Sequence, residues 1–367
     1  MDLIFIYMFM SESDDTFYLL PYEKEDVFQM QDIGQNMGWQ VMAFNLPEVW
    51  KITKGAGVTV AVIDSGVDLE HPDLKSSLIA GKNFVEPDQL PFDSGEHGTH
   101  CAGIIAANDN DYGVVGVAPE AKIMPLKVLN SFGSGKMEWV VDAIKFAVDN
   151  GADIISMSLG CRNPVDKVLE QINYANSHNV VCFVAAGNAG STKQLLYPAA
   201  YTECISIGAV DEKSMRADFS CTGPNLDFVA PGVKIFSTVP VSSYAYLSGT
   251  SMACPFAVGV AALVLSERRK QDPSAKLTIT DYRQILSSNT ISIKNLDANL
   301  DKNGARFWQG MGIINPNQFE NWVEYRNAND IKKELVKIND KINMLKKKNV
   351  LQEIKTQLEG MVSKIVV

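Results

Sequence analysis

The chain has 367 residues, 46% of them hydrophobic, with 33 basic and 43 acidic side chains for a net charge of −10. That length accommodates one large α/β domain with extensions, the apolar share is ample for a core, and the acidic balance argues against nucleic acid as a partner. The six cysteines, at 101, 161, 182, 204, 221 and 254, lack metal-type spacing, and several fall in apolar runs, so they read as reduced core thiols of a cytoplasmic protein.

Met1 to Met10 is apolar, but Asp2 stands where a secretory signal carries positive charge, and no Lys or Arg precedes Lys24. The acidic run Ser11 to Asp15 follows in place of a small-residue cleavage site. The stretch is also too short to span a bilayer. The expectation is a chain that is neither exported nor membrane-bound. Phe17 to Tyr22 is a short extended segment interrupted by Pro21, which removes a donor and holds Leu20 extended. Trp39 to Trp50 leads into the apolar, β-branched run Val58 to Asp64, a buried strand ending in an acid.

His97-Gly98-Thr99-His100-Cys101-Ala102-Gly103 opens a helix and holds two of the four histidines. Asn108-Asp109-Asn110-Asp111-Tyr112-Gly113 is a loop dense in oxygen donors, the ligand type that a hard cation such as calcium takes. Lys122 to Val128 reads as a strand, Gly133-Ser134-Gly135 as a flexible loop, and Lys136 to Asn150 as a helix with Val140, Ile144, Ala147 and Val148 on one face. Ile154 to Gly160 is a strand running into a small-residue loop, Pro164 to Asn179 a helix, and Val180 to Ala186 a strand followed by Gly187-Asn188. Cys204 to Val210 is a further strand. Strands and helices alternate, which predicts a mostly parallel central sheet covered by helices on both faces.

Leu247-Ser248-Gly249-Thr250-Ser251-Met252-Ala253-Cys254-Pro255 is a tight loop entering a helix whose small and apolar residues continue to Leu265. A serine there is ordinarily a cap. It also lies beside unsatisfied backbone donors at the positive end of the helix, where an oxyanion would be stabilised. With Asp64, His97 and Asn188 upstream, each at a strand end or helix start, the chain carries a nucleophile, a base, a carboxylate to orient the base and an oxyanion donor. From Ile331 onward apolar residues recur at three- and four-residue steps (Ile331, Leu335, Ile338, Ile342, Leu345, then Leu351, Ile354, Leu358, Met361, Ile365) with a phase slip at Lys346 to Asn349. This tail has nine lysines and four acids, and either packs back on the acidic body or pairs two copies as a homodimer.

The order Asp64, His97, Ser251 and the motifs D-S-G, H-G-T-H-C-A-G and G-T-S-M-A-C-P resemble the subtilisin-like serine proteases, the intracellular subtilisins most of all, from about Asn45 to about Asn315. The resemblance implies a subtilisin-like three-layer α/β fold and a serine endopeptidase acting on peptides or proteins. It casts Gly133, Ser134, Gly135 and Ser158, Leu159, Gly160 as the two edges that bind an extended peptide. Leu196 falls at the base of the primary specificity pocket, where many relatives have glycine or serine. Calcium is implied at Asp73, Asn110 and the carbonyls of Asn108, Tyr112 and Val114, with Gln35 as a further candidate. Two departures are Phe256, where many relatives have histidine, and Ala189, where many have an acid. Leu19-Leu20-Pro21-Tyr22 resembles the Leu-Ile-Pro-Tyr motif in the N-terminal extension of intracellular subtilisins, and implies a zymogen. Its side chains are expected in the cleft's apolar subsites and its backbone on both edges, with Pro21 keeping a scissile carbonyl from settling between Ser251 and Asn188. The resulting division is a prosegment (1–26), a peptidase domain (27–325) and a helical extension (326–367). Alternatives are a maturation protease with one substrate, an inactive peptide-binding relative, and a cysteine hydrolase using Cys101 or Cys254.

Overall fold

Apolar β-branched runs supply the strands of the body, as their shape favours a pleated, buried surface. A computed structural model describes residues 16–29, 34–190, 194–297 and 302–319, with single helical positions between 339 and 356. In chain order the strands are β1 (Thr16–Leu19), β2 (Glu23–Gln29), β3 (Thr59–Asp64), β4 (Lys82–Asn83), β5 (Lys122–Lys127), β6 (Ser134–Lys136), β7 (Ile154–Met157) and β8 (Leu159–Gly160). They continue with β9 (Val181–Ala185), β10 (Ile205–Val210), β11 (Phe228–Pro231), β12 (Ile235–Val239), β13 (Ser243–Ser248), β14 (Thr290–Ile291) and β15 (Ile313–Ile314).

Nine strands form the central sheet in the order β14-β15-β11-β10-β9-β7-β3-β5-β4. It is parallel except for the β14–β15 pair at one edge. Alternate residues Ala61, Ile63, Ile155, Met157, Cys182 and Val184 pack with the helices Met137–Asp149 and Asp166–Ser177 on one face. The other face carries the helices His97–Ala106 and Thr250–Gln271. The fold is the expected three-layer α/β arrangement, with most element ends within two residues of the sequence reading. The helix Thr250–Gln271 is apolar and long enough to cross a membrane, but 94% of its apolar window is buried inside the protein. It is the core helix.

Two smaller antiparallel sheets flank the cleft: β6-β1-β8 and β12-β13-β2. Gly133 to Gly135 was expected as a loop, yet Ser134–Lys136 is a strand, because β1 lies alongside it and supplies partners. The boundary expected at 26/27 falls inside β2, which pairs with β13 along its whole length. Residues 1–318 form one unit and 319–367 a second. In the second, Asn339, Asp340, Lys341, Asn343, Met344, Lys346, Gln352, Lys355 and Thr356 are helical and exposed. The apolar stripe expected there lies outside the described residues.

Candidate active site

Strand β3 ends at Asp64 and delivers its carboxylate to the carboxyl edge of the sheet. His97 Nδ1 lies 2.9 Å and 3.0 Å from the two Asp64 oxygens, both residues being buried. The close approach of their two elements depends on Gly98, since a Cβ there would stand 2.1 Å from the Gly66 carbonyl oxygen. Ser65 N–H also donates to Asp64 Oδ1, at 2.7 Å. Behind this pair, buried Asp93 accepts from Ser65 Oγ and from the Thr99 N–H and hydroxyl, which fixes the first turn of the His97 helix. Burial pushes the Asp93 carboxyl up. Lys127, the register partner of Asp64, donates to the Ser65 carbonyl at 2.5 Å and to Ser94 Oγ at 2.7 Å.

Ser251 sits in the first turn of the core helix, with Gly249 as N-cap. Pro255 lies four residues on and has no N–H to give, so the Ser251 carbonyl loses its helical partner. Ser158 Oγ and Cys101 Sγ donate to it instead, at 3.0 Å and 3.4 Å. Ser251 Oγ points to the Ser158 carbonyl at 3.5 Å, and His97 Nε2, buried, has no hydrogen-bond partner. The serine is therefore in place with its hydroxyl turned from the base. Asn188, after β9, is fixed through its own oxygen by the Thr250 N–H and hydroxyl.

A segment of the chain itself fills the cleft. Strand β1 pairs antiparallel with β6 through Phe17↔Gly135 and Tyr18↔Ser134, and with β8 through Tyr18↔Gly160 and Leu19↔Leu159. Leu20 is fully buried, its Cδ2 3.3 Å from the point where a Gly160 Cβ would stand. Asn188 Nδ2 donates to the Pro21 carbonyl at 2.6 Å. This corrects the expected role of Pro21: its carbonyl does settle on Asn188. The physical reason is register. The buried anchor is Leu20, and the next residue's carbonyl reaches the amide. Tyr22 then covers His97, with ring centroids 5.2 Å apart. Beside the segment lies a cavity of about 720 Å³ whose lining includes Leu20, Tyr22, Glu96, His97 and Phe132.

Residues 55–312 match the Subtilase family. The chain belongs to the subtilase family. The intracellular serine protease of Paenibacillus polymyxa is 42% identical over 255 residues, 67% of this chain and 77% of that protein. The major intracellular serine protease of Bacillus subtilis is 42% identical over 258 residues, 68% of this chain and 80% of that protein. Thermitase of Thermoactinomyces vulgaris is 43% identical over 224 residues, 61% of this chain and 80% of that protein. As a subtilase the chain is a subtilisin-like serine protease, a hydrolase.

In this subtilase Leu196 is buried between two glycine walls: its Cγ is 3.0 Å from where a Gly187 Cβ would be, and its Cβ 3.1 Å from that of Gly160. It shares the Gly160 surroundings with Leu20. The subtilase's six cysteines are buried and form no disulfide. Burial pushes the Cys101 thiol well up and that of Cys254 to about 12, so neither is a thiolate nucleophile. His100 is structural: its Nε2 sits 3.1 Å from the Ile235 and Ala245 carbonyls, and burial holds its pKa down to about 3.

The residues named for calcium do come together. Asn110 Nδ2 donates to Asp73 Oδ1 at 2.7 Å, Val114 N–H to Asp73 Oδ2 at 2.8 Å, and Gln35 Nε2 to the Asn108 carbonyl at 3.4 Å. Bridges of Gly34 with Tyr112 and Asn36 with Val114 hold Gln35 beside the loop. Asp73 is fully buried, none of the described ion pairs includes it, and burial pushes its carboxyl up. The Tyr244 hydroxyl also donates to Asp73 Oδ2, at 3.1 Å, so the carboxylate here faces three donors. The oxygens a hard cation would take are its own, with that of Asn110 and the Asn108 carbonyl nearby.

Sequence reasoning passed over Thr250, Asp93, Lys127 and Glu96. Thr250 and Glu96 adjoin motif residues, and that adjacency was the available signal.

Proposed function

We propose that this protein is an intracellular serine endopeptidase made as a zymogen, whose N-terminal segment silences Ser251 until it is cut away. The observation that carries the reading is the Asn188 to Pro21 hydrogen bond, made by a segment clamped on both edges of the cleft. A peptide bound the same way would place its scissile carbonyl on Asn188. Ser251 Oγ attacks the carbonyl carbon as His97 Nε2 takes its proton, while Asp64 holds Nδ1–H and the tautomer. Asn188 donates to the oxyanion, and the C–N bond breaks as His97 returns the proton to the leaving amine. Water then repeats the sequence on the acyl-enzyme and frees Ser251.

Three features support silence in the segment-bound form. The pocket holds Leu20 while the carbonyl on Asn188 is that of Pro21, out of step with a substrate whose anchor and scissile carbonyl share a residue. Ser251 Oγ is turned to Ser158, and Tyr22 covers His97. A covalent tether acts at an effective concentration near millimolar, so modest affinity suffices. Calcium at Asp73, Asn110, Gln35 and the Asn108, Tyr112 and Val114 carbonyls would brace the loop after the His97 helix. Buried reduced thiols and the names of two relatives favour the cytoplasm.

The test compares initial rates on a short peptide for the full chain and a chain beginning at Val27. The shorter chain is expected to be at least about tenfold faster, and Ser251→Ala treated with trace active enzyme should be cut within or just after the segment. Equal rates before any cut would remove the inhibitory role. Absence of Ser251-dependent hydrolysis from both would leave a peptide-binding relative.

A further inference from the structure

Glu96, the residue before His97, is where two side chains of the docked segment meet. Tyr22 Oη donates to Glu96 Oε1 at 3.0 Å, and the Lys24 ammonium pairs with Glu96 Oε2. Tyr22 and Lys24 are alternate residues of an extended stretch, so they share a face by the two-residue period of a strand. That stretch is held in place from the other side, since Glu23 and Lys24 pair with Ser248 and Leu247 of β13. The bond whose carbonyl lies on Asn188 joins Pro21 to Tyr22. Tyr22 is therefore the first residue on the leaving-group side, and Lys24 the third. Glu96 is one-fifth exposed, and a peptide that replaces the segment meets the same carboxylate beside the imidazole.

Resting on the peptidase reading above, we propose that Glu96 is a specificity residue for the leaving-group half of the substrate. It takes a phenol hydroxyl one residue after the cleaved bond and a lysine or arginine three residues after it, and it disfavours an acid at that third position. The charge and hydrogen-bonding capacity of one carboxylate serve both contacts, and an extended backbone brings both to it.

The test uses the full chain and a mixture of three peptides, identical except for Lys, Leu or Glu at the third position after the bond. Peptides in one tube compete for the same open clefts, so the ratio of their rates does not depend on how many clefts the segment still fills. Lys is expected to be cut about three- to fivefold faster than Leu, the scale of a partly exposed ion pair, with Glu slowest. In Glu96→Lys the order should invert, Glu becoming the preferred residue, and in Glu96→Gln the charge preference should vanish while Tyr remains preferred over Ala at the first position. Equal rates for the three peptides, or a Lys preference unchanged in Glu96→Lys, overturns the inference and leaves the Glu96 contacts as anchors of the segment alone. No cleavage of any of them by the wild-type chain, even after its segment has been cut away, overturns the peptidase reading itself, an outcome distinct from cleavage without preference.

Discussion

The Thr250 hydroxyl donates to Asn188 Oδ1 at 2.7 Å, and the Thr250 backbone N–H donates to the same oxygen at 2.9 Å. An amide presents its nitrogen to the oxyanion only if its oxygen is held away, and these two donors do that. Thr250→Val removes one of them while keeping the shape. It is expected to lower kcat about two- to tenfold with KM little changed, the size of one neutral hydrogen bond. Asn188→Ala should cost about 10²–10³ in kcat, a range that comes from subtilisin, a member of the same family. A Thr250→Val enzyme with wild-type kcat would separate Thr250 from the oxyanion site.

Leu196, the proposed base of the primary pocket, is packed between Gly160 and Gly187. Small or medium apolar residues before the cleaved bond are expected to be preferred, with aromatic ones disfavoured by about 1–3 kcal/mol of overpacking. Leu196→Gly should raise kcat/KM for phenylalanine relative to alanine by about fivefold or more. A preference that does not move would place the pocket elsewhere.

Cys101 Sγ is 3.9 Å from His97 Nδ1 and 3.4 Å from the Ser251 carbonyl oxygen. A mercurial on this sulfur has nowhere to go without displacing the imidazole. Because the thiol is buried and its pKa well up, inactivation should be slow and time-dependent. Equal inactivation of Cys101→Ala, measured against its own untreated rate, would assign the effect to another cysteine.

Asp73 yields a prediction with two arms. Burial raises its folded pKa, so the charged form is disfavoured by folding and destabilises above the ordinary carboxylate range. In wild type, calcium at 100 times its Kd should add about 2.7 kcal/mol and raise the thermal midpoint by several degrees. Asp73→Asn should abolish that response, and in chelator should melt no lower than wild type. A midpoint in wild type indifferent to calcium from micromolar to millimolar would dispose of the site.

Acid should weaken the fold through His100. Its folded pKa, about 3, lies below the ordinary value near 6.5, so the unfolded chain binds a proton that the native state refuses. The stability is present above pH 6.5 and is lost as pH falls toward 3, at about 1.4 kcal/mol per pH unit from this group. His71, also held down by burial, adds in the same direction. Urea midpoints between pH 7 and 4 should fall less steeply in His100→Gln, whose amide can still donate to the two carbonyls. An identical slope would show that His100 does not control the acid limb.

What could be read from the sequence follows from what is local. Val58 to Asp64 and Val180 to Ala186 announce themselves as buried strands, and a polar residue just past such a run lies at the sheet's carboxyl edge. That placed Asp64 and Asn188, while the small-residue turns placed His97 and Ser251. Ser134–Lys136 was not legible as a strand, because its partner β1 lies more than a hundred residues away in the sequence and a glycine-rich stretch carries no pattern of its own. The carbonyl of Pro21 was misjudged for a related reason: register along a groove is set by which side chain anchors, and Leu19 and Leu20 are equally apolar. Beyond its place next to His97, Glu96 carries no local signal, because Tyr22 and Lys24 lie more than seventy residues away in the sequence and converge on it only in the fold.

Ser251 belongs to the first turn of a helix packed against β7, β9, β10 and β11 and against the His97 helix. The chemistry and the hydrophobic interior are thus one mechanical piece. A chain heated until that helix loosens has no intermediate in which the scaffold has softened while the nucleophile still works. Loss of hydrolysis and loss of tertiary packing should follow a single time course, and rescue of one on cooling should bring back the other.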